Sequence, residues 1–287
     1  MAKQIKNISI EQKIDIVINN TRATKFYFIS NIKYVWVQHD LIKDYFKLNW
    51  REKLTRFLSK SLNEIKWPNI VLYSTKDKDY FLKKFPNNKS NIFLITPGSE
   101  SKSNISKYMN EINYQLKNQI AFIGRIDDNT KNINFLNLVA NKLEKYNKVI
   151  HVYGKGKDEC LIKNNKNIIF HGSFNNNEIK QIFSQIKILL VPSKKEPYGL
   201  VISEALCHGT PCIISSKCFH HDFFINDKRG SIINEFNPDD WVKKINHIVN
   251  LDATQYKNMS DASFKFAASE LSLEKFNNKW IDLIESI

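Results

Sequence analysis

Two carboxylates, Glu196 and Glu204, stand eight positions apart in the stretch Lys195-Glu196-Pro197-Tyr198-Gly199-Leu200-Val201-Ile202-Ser203-Glu204-Ala205, with a glycine between them. Ile188 to Val191 reads as an apolar strand, Pro192 and Pro197 keep a helix from starting early, and Gly199 opens a helix through Ala205 and Leu206. The N-terminus of such a helix directs free backbone N–H groups at the preceding loop, where a diphosphate can sit without a metal. Glu196 falls in that loop, beside the anion. Glu204, just over a turn into the helix, can reach back to accept hydrogen bonds from vicinal hydroxyls, a task suited to a group with several lone pairs and no competing donor. The expected ligand is a nucleotide sugar.

Further signals lie in order around this pair. Phe122-Ile123-Gly124-Arg125 ends a strand, and Lys131 follows six residues later. Val152-Tyr153-Gly154-Lys155-Gly156 reads as a strand followed by Gly-x-Gly, and Ile168-Ile169-Phe170-His171-Gly172 as another strand, followed by Ser173. Glu204-Ala205-Leu206-Cys207-His208-Gly209-Thr210-Pro211-Cys212-Ile213 overlaps the second carboxylate. Together these motifs resemble retaining glycosyltransferases of the GT-B fold, similar to glycosyltransferase family 4 (glycosyl transferases group 1). The resemblance is strong from about Gln119 to Ser216 and thin elsewhere. It implies a donor-binding set of Gly124, Arg125, Lys131, Gly154, Gly172, Ser173, Tyr198, Gly199, Leu200 and Glu204. Arg125 and Lys131 would hold the diphosphate, Glu204 the ribose, and Glu196 would contact the transferred sugar. By the same resemblance His39, at the end of Tyr34-Val35-Trp36-Val37-Gln38-His39-Asp40, lines the cleft near the anomeric carbon. Glu196, Arg125, Lys131 and His39 are the candidate catalytic residues.

The chain as a whole fits two α/β domains. Its 287 residues suffice for both, and 42% hydrophobic residues is the content of a globular protein. The apolar runs are far shorter than the roughly twenty residues that span a bilayer, and Met1-Ala2-Lys3-Gln4-Ile5 lacks the apolar core of a signal peptide, so a cytoplasmic location is expected. Cys160, Cys207, Cys212 and Cys218 show no Cys-x-x-Cys pair, which predicts reduced thiols. The group Cys207, His208, Cys212, Cys218, His220 and His221 invites a zinc reading, but its spacing matches no common zinc pattern, and no metal is expected. The net charge of +14 is uneven: residues 1–116 carry 20 Lys and Arg against 10 Asp and Glu, and the remainder 23 against 19. A basic excess of this kind attracts an anionic glycan, an anionic membrane surface or nucleic acid, although no nucleic-acid motif accompanies it.

From Asp15 onward strand-like and helix-like stretches alternate, the pattern of a parallel sheet flanked by helices. Strands are expected at 15–18, 25–29, 34–38, 70–74, 92–96, 121–124, 149–153, 168–170, 188–191 and 211–215. Ile179, Ile182, Phe183 and Ile186 form one helical stripe, and Phe135, Leu136, Val139 and Leu143 another. The polar segment Gly98 to Asn113 reads as a linker, giving a domain of residues 1–116 and a second of 117–287 with a final helix from Leu273 to Ile284. The family's N-terminal domain opens on a glycine-rich loop, yet this chain has no glycine before Gly98. The fold class is therefore GT-B-like, with two Rossmann-like domains of which the first is shortened.

Each candidate has an ordinary reading beside the functional one. Arg125 and Lys131 could be surface charges at a turn, but they follow a strand's C-terminal end, where ligands of open α/β sheets bind. Glu204 could serve only the helix dipole, and His39 could be a solvated strand-end residue. Asp77-Lys78-Asp79 resembles a metal-binding Asp-x-Asp, but Ser74 and Thr75 can cap a helix there and acidic residues belong in its first turn. Trp50 to Lys66 places Leu54, Phe57, Leu58, Leu62 and Ile65 on one face, either for packing on a sheet or for resting on a membrane. The expected activity is hexosyl transfer from a nucleotide sugar, a UDP-sugar before a GDP-sugar, to a glycan or lipid-linked acceptor, with retention and without a metal. The alternative is a non-catalytic glycosyltransferase-like subunit that lends its surface to a partner.

Overall fold

The computed structural model describes residues 13–19, 32–37, 67–99, 112–196, 199–218, 223–224 and 228–287. The strand expected at 25–29, the helical stretch 50–66, and His39, Tyr198, His220 and His221 lie outside them. The chain divides into two compact units, one of residues 1–96 with 276–287 and one of 97–275. Pro97 to Ser99 and 112–116, placed in the first domain from sequence, thus fall in the second unit: Ser99 N–H donates to the Leu271 carbonyl (2.8 Å), and Tyr114 Oη to Asp261 (2.7 Å).

The first unit holds β1 (Ile16–Asn19), β2 (Lys33–Val37), β3 (Asn69–Leu72), α1 (Thr75–Lys84) and β4 (Asn91–Leu94). The four strands are parallel in the order β1-β2-β3-β4. Trp36, Ile70, Leu72 and Phe81 are buried at its centre, which anchors α1 on the sheet. Ser74 Oγ accepts the N–H of Asp77 (3.0 Å), so the Asp77-Lys78-Asp79 segment is the first turn of a capped helix.

The second unit runs β5 (Gln119–Ile123), α2 (Asp128–Lys131), α3 (Ile133–Leu143), β6 (Ile150–Tyr153), α4 (Cys160–Lys163), β7 (Ile168–Gly172), α5 (Ile179–Gln185), β8 (Ile186–Val191), α6 (Leu200–Cys207), β9 (Cys212–Ser215), β10 (Gly230–Ile233), α7 (Pro238–Val249) and α8 (Ala253–Glu270). A last helix, α9 (Leu273–Ser286), follows, and its residues from Phe276 onward belong to the first unit. The six strands are parallel in the order β7-β6-β5-β8-β9-β10, the 3-2-1-4-5-6 order of a doubly wound dinucleotide-binding sheet. The alternation of strand side chains explains the two cores. Ile120, Phe122, Ile188 and Leu190 face α3 and α7, while Ala121, Ile123, Leu189 and Val191 face α5 and α6. Strands buried on both faces read as unbroken apolar runs, which is why β5 and β8 stand out in the sequence.

Two details depart from expectation. Ile186 opens β8 instead of closing α5, because α5 passes into the strand without a loop, and it is buried either way. β10 was not anticipated, since Gly230-Ser231-Ile232-Ile233 is short, half polar and at the sheet edge. Gly230 (φ +127°) is required there, because a Cβ would lie 1.8 Å from the Cys212 carbonyl oxygen.

Candidate functional site

In a sheet of this order ligands bind outside the carboxyl ends of the strands where the winding reverses, here between β5 and β8. The loop after β5 carries Gly124, Arg125 and, through α2, Lys131; the loop after β8 carries Glu196 and Gly199. The topology alone brings two of the sequence-predicted groups together.

Glu196 is the best-held carboxylate of the site. Only 6% of the residue is exposed, and it forms an ion pair with Lys131 Nζ. Ser193 Oγ donates to its Oε2 (3.0 Å), and the backbone N–H of Gly199 to its Oε1 (3.2 Å). Gly199 adopts φ +42° as the N-cap of α6, the left-handed conformation that turns its N–H back to the loop. One N–H anticipated for a diphosphate is therefore taken by Glu196. The Leu200 and Val201 N–H groups precede the first intrahelical bond, from Ile202 N–H to the Gly199 carbonyl (2.8 Å), and keep the anion-attracting character of a helix start. The loop is clasped to α2 from the other side: Lys194 N–H donates to the Thr130 carbonyl (2.9 Å), and Lys194 Nζ to Asp128 Oδ2 (3.0 Å). That contact, after the opposing effect of its burial, holds the Asp128 carboxyl below its ordinary range together with the Asn134 N–H.

Ser193 and the Lys194–Asp128 clasp were missed from sequence. Ser193 stands three residues before Glu196, near enough in sequence for the loop to bring the two side chains together. Its carbonyl in turn accepts from Ser215 Oγ (2.6 Å), tying the loop to the end of β9.

Arg125 stands apart from the ion pair. Its side chain is 66% exposed and its Nε lies 3.8 Å from Asp127 Oδ2. Gly124, Gly154 and Gly172 line up where β5, β6 and β7 end, joined by Gly124 N–H to the Tyr153 carbonyl (3.0 Å) and Gly154 N–H to the Gly172 carbonyl (2.7 Å). At Gly154 (φ +138°) a Cβ would lie 1.9 Å from the Gly124 carbonyl oxygen, so only glycine permits this approach. Gly172 faces open space and Ser173 is exposed. Leu200 is 41% exposed. Glu204 lies half-buried on α6, and burial pushes its carboxyl pKa up.

Among the described residues no group of three or more His, Cys, Asp or Glu is placed to hold a metal ion. Burial pushes the Cys207 thiol up to about 11 and the Cys218 thiol up to about 12, which keeps both protonated near neutral pH.

The profile described as "Glycosyl transferases group 1" matches residues 104–266, more than half of the chain. The chain belongs to this family. A curated relative, an uncharacterized glycosyltransferase of Methanocaldococcus jannaschii, is 28% identical over 128 residues, covering 42% of this chain and 33% of the relative. A poly(ribitol-phosphate) alpha-N-acetylglucosaminyltransferase of Staphylococcus aureus is 25% identical over 250 residues, covering 82% of this chain and 47% of the relative. The chain thus spans between a third and about half the length of the curated relatives it matches. In three dimensions it is similar to HepE of Anabaena, solved with UDP and glucose, with a TM-score of 0.73 and 15% identity over 99% of this chain and 81% of that one. The shared architecture is the GT-B fold.

Proposed function

We propose that this group 1 chain transfers a hexosyl group from a nucleotide sugar, with a UDP-sugar as donor, to a glycan or lipid-linked acceptor. Retention of configuration and independence of metal belong to the same reading. The observation that carries it is the meeting of Lys131, Glu196 and the start of α6 at the switch point between β5 and β8. The binding of UDP and glucose by HepE supports it.

In this reading the departing diphosphate gathers negative charge as the bond to the sugar breaks. Lys131 Nζ and the Leu200 and Val201 N–H groups stabilise that charge, so an oxocarbenium-like sugar can form. Arg125 swings in from its exposed loop to add a bidentate contact. Glu196, fixed by Ser193 and Gly199, accepts hydrogen bonds from the transferred sugar, and Glu204 accepts them from the ribose. Gly154, Gly172 and Ser173 leave room for the nucleoside, while the donor-binding role of Tyr198 and the catalytic role of His39 rest on the family resemblance alone. The basic excess of residues 1–116 suits an anionic acceptor or an anionic membrane surface.

Calorimetry with UDP, GDP and their sugars in metal-free buffer tests the reading, beside an Arg125→Ala/Glu204→Ala control. Binding of one nucleotide, lost in the control, followed by NMR detection of a retained anomeric linkage, would sustain it. Nucleotide binding without transfer or hydrolysis would favour a non-catalytic partner subunit.

A further inference from the structure

We propose that a groove at the N-terminal ends of the second sheet's strands binds an uncharged oligosaccharide, away from the donor cleft. The identity of the ligand rests on the glycosyltransferase reading; the groove itself does not. It has a volume of about 860 Å³ and is lined by Asn118, Gln119, Asn147, Gln181, Gln185 and His151. That volume lies within the roughly 300–1,000 Å³ of small-molecule clefts. These residues begin β5, precede or begin β6 and end α5, whereas the donor-site loops leave the opposite ends of the same strands. Five-residue strands put the two sites about 17 Å apart.

The chemistry of the lining selects the ligand. Three of the chain's eight glutamines meet here, and among the described residues Lys148 is the sole Lys or Arg on the wall and no Asp or Glu lines it. Carboxamides carry a donor and an acceptor side by side without charge, which matches vicinal hydroxyls and gives little hold on an anion. The amides are also pre-set. Tyr153 Oη donates to Gln119 Oε1 (2.9 Å), Gln119 Nε2 donates to Gln185 Oε1 (2.8 Å), and Asn118 N–H donates to the Gln185 carbonyl (3.0 Å). With its oxygen so fixed, Gln185 keeps an NH₂ to offer a ligand. His151 is locked too: its Nδ1 lies 3.0 Å from His171 Nε2, and the His171 ring stacks on Tyr153 at 4.2 Å. Burial lowers the pKa of both histidines, so His151 adds no charge to the wall at neutral pH. Leu116 and Val249 add apolar surface for the C–H face of a sugar ring.

The test is calorimetry of the full chain, without nucleotide, against neutral linear oligosaccharides of glucose and of N-acetylglucosamine and against a phosphorylated hexose. We expect millimolar binding of at least one neutral oligosaccharide, weakened tenfold or more by Gln185→Leu and by the more exposed Gln181→Leu, and unchanged in Arg125→Ala. No binding of any neutral oligosaccharide, binding indifferent to both glutamine variants, or a preference for the phosphorylated sugar would overturn the proposal. Because nucleotide is omitted, a chain that binds oligosaccharide yet transfers no sugar would leave this site standing and remove only the catalytic reading.

Discussion

Lys131 and Glu196, 65 positions apart in sequence, form an ion pair largely withdrawn from water, with side-chain exposures of 16% and 8%. Removing one member of such a pair leaves the other charge buried and unpaired, whereas neutralising both removes the conflict. Lys131→Ala is therefore expected to lose about 3 kcal/mol of stability, by the cost typical of broken buried pairs, as well as donor binding. Adding Glu196→Gln should restore most of the stability and none of the activity. Urea denaturation of the single and double variants checks this; equal stability of the two would mean that the pair contributes nothing to folding.

Arg125 gives the contrasting case. Its side chain is exposed and its contact with Asp127 is a surface ion pair at 3.8 Å, so Arg125→Ala should melt within a degree or two of the parent, as surface substitutions do. Turnover should nevertheless drop by ten- to a hundredfold, through loss of a charge-assisted contact to the leaving diphosphate. Steady-state kinetics beside a thermal melt decides it, and unchanged turnover would take Arg125 out of the site.

Glu204 predicts a pH dependence of nucleotide binding. A ribose diol donates to the carboxylate form, so a proton competes with the ligand, and affinity is lost as pH falls through the pKa of the free site. Burial places that pKa above the ordinary 4.5, so the loss should begin at higher pH than for a solvated carboxylate. UDP titrations from pH 7.5 to 4.5 should show the fall in the parent chain, and Glu204→Gln should bind weakly with a flatter profile. A parallel profile in the variant would assign the effect to another group.

Gly154→Ala should act on the backbone. The added Cβ would meet the Gly124 carbonyl at 1.9 Å, and no flexible side chain is there to yield. Forcing the ends of β5 and β6 apart is expected to cost roughly 2–3 kcal/mol, in line with other overpacking. Denaturant midpoints measure it; a neutral substitution would show that the two strand ends are looser than they look.

Lys117 sets a second pH effect, this one on stability. Its Nζ is buried and donates to the carbonyls of Phe183 (2.9 Å) and His208 (3.1 Å) and to Thr210 Oγ1 (2.8 Å). Burial pulls its pKa from 10.5 down to about 7. Between those values the unfolded chain holds a proton that the folded chain has released, so this group makes stability rise as pH rises, with the contribution level below the lower value. The stability of the parent relative to Lys117→Met should therefore rise from pH 7 to 9.5 in urea titrations. A constant difference would mean that the ammonium stays charged inside the fold.

Much of this site was legible because strand-end glycines and the carboxylate pair lie close in sequence to the strands that position them. Nine of the ten expected strands fall within the described residues, and each is there within a few positions. What escaped depended on contacts distant in sequence. The loop that carries Ser193 is tied down only when β9 brings Ser215 to the Ser193 carbonyl, and Asp128 gains its role only when Lys194 folds across from 66 positions away. The weakly patterned β10 is fixed by the fit of Gly230 against Cys212 and not by its own preference for a strand. The division at residue 97 was hidden for the same reason, since Ser99 is held by Leu271 from the far end of the second unit.

That division also orders the birth of the molecule. The second unit is one unbroken stretch, 97–275, while the first is assembled from 1–96 and 276–287. On the ribosome the second unit has all its residues before the last strip of the first is synthesised, so the first unit is completed after the second. A chain stalled or clipped just before Phe276 would retain every residue of the six-stranded unit and an incomplete first unit.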